Sequence, residues 1–337
     1  MRRAHLLTLA IALSACCVGC HDSASIFLAA GPASRAIGKL GAWVLVILLI
    51  AAIVSTALLV VAAVRRRGTF GEHAGVDTGG GHLLIYIGGF LTPIVVLGVV
   101  LFATLRTVNR FPLHEDGHFR ADIRVVSRQW WWEIDYEGDG HSTRVVSANE
   151  LHIPTNWPIE IQLESRDVIH SFWVPALHGK VDLVPGHVNR IRLEADVPGR
   201  YPGECAEFCG PQHALMNFTV VAQPLAEYEA WLAHEAAPAD PPNTEDVARG
   251  RALFEGHACG LCHRVRGTSA QASVGPDLTH FASRAELAAG SYPNDRAYLE
   301  AWATHAQSLK PGAQMPDITD FSGAELQSLT HFLESLR

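Results

Sequence analysis

"CAEFCGPQHALM", residues 205–216, gathers two cysteines, a histidine and a methionine into one loop of a 337-residue chain that has only three methionines. A disulfide between Cys205 and Cys209 would explain neither His213 nor Met216, and a bridge closing so short a loop constrains little. Zinc would take both thiolates and the histidine but leave the thioether of Met216 idle. Copper uses all four groups, because thiolate, imidazole and a weak thioether are the donor set of electron-transfer copper. One cysteine suffices for a single copper ion, whereas two, one helical turn apart in sequence, can both bridge a pair of ions. Each ion then needs one histidine and one weak axial donor. The loop supplies His213 and Met216, so a second histidine has to come from an earlier strand, and "DVIHSFWVP" offers His170. The backbone carbonyl of Glu207, between the cysteines, is available as the second axial donor.

The residues around this loop alternate at period two. "ADIRVVSRQWWWEIDY", "NWPIEIQLES", "NRIRLEADV" and "HALMNFTVVA" are rich in Val, Ile, Trp and Thr, with Pro and Gly between them. Short strands with turn signals at this density predict an all-β Greek-key sandwich over residues 118–222. Composition then shifts. Residues 223–243 are rich in Ala, Pro and acids and read as a linker that begins as a short helix.

Residues 244–337 have helical periodicity. Thr244 is placed to cap a helix with two acids in its first turn, and Ser322 with Glu325 forms a capping box before the last helix, with Phe321 and Leu326 spaced as a hydrophobic staple. Between them lies "CGLCH", residues 259–263, a C-x-x-C-H haem-attachment motif. Cys259 and Cys262 would add to the haem vinyl groups and His263 would bind the iron. "GPDL" follows, with Pro276 offering a carbonyl to the proximal histidine. "AQMPDI" supplies Met315 on a non-helical stretch as the distal ligand. Apart from the initiator, both methionines thus stand beside metal motifs. Most other histidines, such as His73 and His82, read as surface residues.

Upstream, residues 40–64 run 25 positions and residues 83–105 run 23 positions without a charge. About 20 apolar residues span a bilayer, so 17–110 reads as a transmembrane hairpin. Arg65, Arg66 and Arg67 in the connecting loop place that loop in the cytoplasm and the rest of the chain outside, although Arg106 and Arg110 weigh slightly the other way. Residues 1–16 have a signal-peptide layout, and "LSAC" resembles a lipobox with Cys16 as the lipidated residue, Cys17 and Cys20 lying close by. The net charge of −8, without basic blocks, argues against nucleic acid as a partner.

"VIHSFWVP", "GKVDLVPG" and "GECAEFCGPQHALM" resemble the hallmark segments of subunit II of haem–copper cytochrome c oxidases, and 244–337 resembles a class I cytochrome c. The resemblance is to a caa-type oxidase subunit II: two transmembrane helices, a cupredoxin-like domain and a fused all-α cytochrome c. It implies a dinuclear copper centre, CuA, held by His170, Cys205, Glu207 (through its carbonyl), Cys209, His213 and Met216. It also implies electron input at Trp130 and a magnesium ion on the Glu207 carboxylate at the boundary with subunit I. The partners it implies are subunits I and III and a periplasmic donor, a cytochrome or reductase complex, at a bacterial inner membrane. The expected function is to pass electrons through haem c and CuA to subunit I, where oxygen is reduced to water. Tethering would raise the donor concentration to roughly millimolar. One departure stands out: counting seven residues back from Pro93, where the family often carries a glutamate, gives Tyr86, which puts a proton-path role for this subunit in doubt. A CuA-containing nitric oxide reductase subunit and a membrane-tethered, non-catalytic copper–haem shuttle are the alternatives.

Overall fold

The computed structural model describes residues 25–65, 81–110, 123–136 and 144–337. Residues 1–16, Cys16, Cys17 and Cys20, Arg66 and Arg67, and His73 lie outside them. The chain divides into two compact units, one of residues 35–112 and the other of residues 1–34 with 113–337.

The first unit carries two helices long and apolar enough to cross a membrane, α1 (Pro32–Arg65) and α2 (Gly81–Val108), and the most apolar stretch of each is free of buried positions. Helix α1 starts well ahead of the charge-free run, because Pro32 sits at its first position, where a missing N–H costs nothing. At 1.5 Å per residue it is about 51 Å long, more than the roughly 30 Å of bilayer hydrocarbon. Helix α2 widens into a π-helical turn over Ile85–Leu91, which contains Tyr86. Pro93 explains the widening: its ring clashes with the carbonyl four residues back, at Gly89.

The second unit opens with a sandwich of ten strands. One sheet has the order β3 (Val145–Ala148), β2 (Trp131–Tyr136), β1 (Ile123–Arg128), β5 (Ile159–Ser165), β8 (Asn189–Leu193). The other has the order β4 (Glu150–Pro154), β10 (Asn217–Gln223), β9 (Gly199–Cys205), β6 (His170–Trp173), β7 (Val181–Leu183). Strand pairs are antiparallel except β1 with β5 and β4 with β10. The alternating pattern sets the register: Val125 faces Ile134, Ile123 faces Ile161, and Ile161 faces Ile191, all buried. On the outer face, Arg124 opposite Asp135 forms an ion pair at 2.6 Å. Trp132, Phe172 and Phe218 meet between the sheets with ring centroids 4.6 to 6.0 Å apart. The run "ADIRVVSRQWWWEIDY" is two strands and not one, turning back at Gln129–Trp130.

The linker is not loose. Helix α3 (Leu225–Ala236) contacts β3 and β4, stacking Trp231 on His152 at 3.8 Å. Beyond it, the Arg266 guanidinium donates to the carbonyls of Glu235 and Ala237, and a ring nitrogen of His280 lies 3.0 Å from the Ala237 carbonyl.

The C-terminal domain is helical, with α4 (Glu245–Gly256), the single turn α5 (Cys259–Cys262), α6 (Arg296–Thr304), α7 (Ala306–Leu309) and α8 (Gly323–Ser335), and departs from all-α only in a short antiparallel pair, Glu286–Leu287 with Tyr292–Pro293. Thr244 caps α4 by accepting the Val247 N–H at 3.2 Å, and the Ser322–Glu325 capping box starts α8. Each such cap stabilises its helix by about 1 kcal/mol. Helices α4 and α8 cross at Gly250, where a Cβ would lie 1.9 Å from the Ser328 carbonyl oxygen. Only glycine admits that approach.

Candidate functional site

The copper-loop candidates sit where the strand ladder brings distant residues together. His170 starts β6 and Cys205 ends β9, and the pairing of Phe172 with Cys205 holds these strands side by side. The loop after Cys205 is closed at its base by the Cys205 N–H donating to the Met216 carbonyl at 3.1 Å. A 3₁₀ turn over His213–Leu215 then carries His213 back toward the cysteines.

The donor atoms converge. Cys205 Sγ lies 3.8 Å from Cys209 Sγ, 3.8 Å from His170 Nδ1 and 3.2 Å from the Glu207 carbonyl. Cys209 Sγ lies 3.7 Å from His213 Nδ1 and 3.9 Å from Met216 Sδ. Two ligands held about 2.0 to 2.3 Å from one metal at a tetrahedral angle are separated by about 3.3 to 3.8 Å, so these spacings suit shared ions. Both sulfurs sit in the middle of the set, each flanked by its own histidine. Both cysteines are free, and the sulfurs are too far apart for a disulfide. The group therefore fits a sulfur-bridged copper pair.

Burial and neighbours tune these donors. The Cys205 thiol is held well below its usual range because Cys209 donates a hydrogen bond to it, which outweighs its burial; His170 and backbone groups add to this. The neighbouring thiolate in turn keeps Cys209 protonated in the metal-free chain. Burial opposes charge on His170, but Asp167 and Cys205 outweigh it and raise its pKa. Asp167 Oδ1 lies 2.8 Å from His170 Nε2 and so fixes which ring nitrogen faces the sulfurs. The Asp167 carboxylate also accepts the Gln129 N–H at 2.7 Å. The side chains of Gln129 and Trp130 both donate to the Cys209 carbonyl, at 2.8 and 3.1 Å. Trp132 is a core residue, whereas the half-buried Trp131 stands beside the Arg128 guanidinium. The Glu207 carboxylate is exposed, with the Lys180 ammonium 3.6 Å away.

The second site is a cavity of about 220 Å³, lined by Cys259, Cys262, His263 and Met315. His263 Nδ1 donates to the Pro276 carbonyl at 2.9 Å, leaving Nε2 for a metal. Burial lowers the His263 pKa, keeping the ring neutral as a ligand must be. A Cβ on Gly275 would come within 2.7 Å of the His263 ring, so glycine makes the room this ring occupies. Met315 is carried on a loop held by Gln307, whose amide donates to the carbonyls of Ala313 and Met315 at 2.7 and 2.6 Å. The apolar cavity with two free thiols at its wall fits a covalently held haem. Its wall also includes Gln129, Trp130 and Trp131 from the copper domain.

Sequence reasoning did not single out Asp167, Gln129, Gln307 or Lys310. The spacing D-x-x-H before the copper histidine is a local signal for Asp167. The others act through contacts that no local pattern announces.

A β-sandwich that gathers two cysteines, two histidines and a methionine, joined to a C-x-x-C-H helical domain and preceded by two membrane-length helices, defines a membrane-bound electron-transfer subunit carrying copper and haem c. The family model described as "Cytochrome C oxidase subunit II, periplasmic domain" matches residues 121–223, and that of "Cytochrome c" matches 247–337. Cytochrome c oxidase subunit 2 of Alkalihalophilus pseudofirmus is 39% identical over 261 residues, covering 76% of this chain and 74% of the relative. That of Bacillus subtilis is 30% identical over 260 residues, covering 72% and 70%. A crystal structure of the periplasmic domain of subunit II of cytochrome oxidase from Bradyrhizobium japonicum is similar with a TM-score of 0.32 at 30% identity, covering 35% of this chain and 95% of that one. The chain belongs to the cytochrome c oxidase subunit 2 family, with a cytochrome c domain fused at its C-terminal side. It is a membrane protein with a periplasmic domain, and it is part of a haem–copper oxidase complex with subunit I.

Proposed function

We propose that this chain receives electrons from a periplasmic donor, a cytochrome or reductase complex, at its own haem c and passes them through CuA to haem in subunit I for the reduction of oxygen to water. The observation that supports this reading most directly is the shared wall of the haem cavity: Trp130 lines it and also donates its indole N–H to the carbonyl of Cys209. The cavity that takes the haem and the backbone of a copper ligand are thus joined by one side chain, which is why Trp130 is proposed as the point of electron input to copper.

When bound, the copper pair and the haem supply one-electron carriers of low reorganisation, and the protein's part is to place them. Cys205, Cys209, His170, His213, Met216 and the Glu207 carbonyl would together hold the copper pair. Asp167 orients His170. Cys259 and Cys262 would hold the haem and His263 and Met315 would bind its iron, with the Pro276 carbonyl orienting His263. Thioether ligation by Met315 raises the iron potential, which suits a carrier upstream of oxygen. A magnesium ion on the Glu207 carboxylate would have to compete with Lys180 and would draw its other ligands from subunit I. Subunit III is proposed as a further neighbour, the membrane as the bacterial inner membrane, and the loop between α1 and α2 as cytoplasmic.

The test is to purify the complex and supply a reduced donor. Oxygen consumption that stops in a Cys205→Ser variant is the expected result. Consumption of nitric oxide instead of oxygen would assign the chain to a nitric oxide reductase, and neither activity would leave a copper–haem shuttle.

A further inference from the structure

Lys310 is a lysine in the wrong place for a surface charge. It is 2% exposed, at the end of α7, five residues before Met315, and has no carboxylate within ion-pair distance among the described residues. Its ammonium donates to two carbonyls, that of Leu215 at 2.7 Å and that of Ala288 at 2.9 Å. Leu215 lies between the copper-ligand candidates His213 and Met216, whereas Ala288 belongs to the haem domain. A buried ammonium without a carboxylate partner persists only where its N–H groups are satisfied, and the two carbonyls satisfy them here. Burial accordingly lowers the Lys310 pKa, to about 8.

The contact is not isolated. Gln212, also in the copper loop, donates its amide to the carbonyl of Pro311, the residue after Lys310, at 2.6 Å. Ser291 Oγ donates to the same Leu215 carbonyl at 3.1 Å, and the Asn217 N–H donates to the Ala289 carbonyl at 3.0 Å. Lys310 also lines the haem cavity. One side chain therefore touches the turn that carries two copper ligands, the haem-domain backbone and the wall of the haem site.

We propose that Lys310 is a positioning residue for transfer between the two carriers: it clasps the copper loop to the segment bearing Met315 and so fixes the distance between copper and haem. This inference rests on the reading that the chain passes electrons from haem c to CuA. The step it serves moves one electron, oxidising the haem iron by one and reducing the copper pair by one, with no bond made or broken at the cysteine or histidine ligands. Removing the clasp leaves both ligand sets whole but loosens the copper loop against the segment bearing Met315, while the other contacts keep the domains together.

The test uses the purified complex loaded with haem and copper. A photoexcited ruthenium complex reduces the haem in a flash, and haem reoxidation is followed together with the loss of the copper absorbance. Wild-type protein is expected to show a fast intramolecular phase; its absence would overturn the proposed electron path itself. Lys310→Met keeps the side chain's length up to Cε and removes its donors. It is expected to slow that phase by about tenfold, because the copper loop no longer holds a single distance from the haem segment, while the copper EPR spectrum and the haem spectrum stay as in wild type. A variant that is fully loaded yet transfers at the wild-type rate would overturn the role of Lys310. Should Lys310→Met fail to assemble, Gln212→Ala decides: a slowed phase with unchanged spectra supports the clasp, and an unchanged phase refutes it.

Discussion

At Cys205, serine would keep the volume and remove a bridging sulfur. The expected outcome is loss of the multi-line EPR pattern of a delocalised copper pair, because His170 and the Glu207 carbonyl cluster on this sulfur and the remaining thiolate cannot hold two ions alone. At Met315, alanine should lower the haem potential by on the order of 0.1 V, a fraction of the roughly 0.8 V that axial ligands command; a redox titration of the complex checks it, with the copper EPR unchanged. Gln307→Ala should act in the same direction but more weakly, since it frees the Met315 loop without removing the sulfur. The ligand candidates were legible because their spacing is local: four positions separate the cysteines, and C-x-x-C-H is contiguous. Lys310 was not. Its meaning depends on the Leu215 carbonyl, 95 positions away in sequence, and a single lysine among helical residues reads as solvated.

Among the elements, the face between β4 and the haem domain responds to pH. The carboxyl of Glu150 is buried, which alone would raise its pKa, but His152, Arg200 and the Ala285 N–H outweigh that and hold it down to about 2. The Ala285 N–H comes from the haem domain, at 3.0 Å. A pKa depressed in the folded form means that Glu150 stabilises the fold fully above its ordinary value near 4.5 and that this contribution is lost as pH falls toward 2. His152 and Arg200 belong to the sandwich and only the Ala285 N–H comes from the haem domain, so the window is chiefly one of folding stability. Glu150→Gln should lower that stability by about 1–3 kcal/mol at neutral pH, and unfolding midpoints measured from about pH 5 down to about 2 read both. The helix crossing is equally exposed to test. Gly250→Ala should lower the unfolding midpoint, with a cost of about 1–3 kcal/mol or more as α4 is pushed off α8. Strand periodicity predicted the sandwich well, since period-two burial is a local signal. It did not divide the run at Gln129–Trp130, where no Gly or Pro marks the reversal, and it missed the start of α1, which Pro32 sets and hydropathy does not.

For the whole molecule, the docked copper and haem domains change what tethering means. The sequence suggests a donor held at high local concentration, whereas the structure packs the domains through Lys310, Gln212, Glu150 and Ser291. Transfer between the carriers should therefore be independent of protein concentration and nearly insensitive to salt, because the joining groups are mostly buried and escape screening; flash photoreduction over a dilution and ionic-strength series measures both. The segment connecting the domains sharpens this. Trp231 is stacked on His152 at one end, and the carbonyl of Ala237 is gripped by Arg266 and His280 at the other. It behaves as a strut. Spacer residues inserted after Ala239 would loop out from a joint already locked on both sides, and would not set the haem domain swinging. The stretch 240–243 is thus free to drift in length and composition while the reach between the two carriers stays constant.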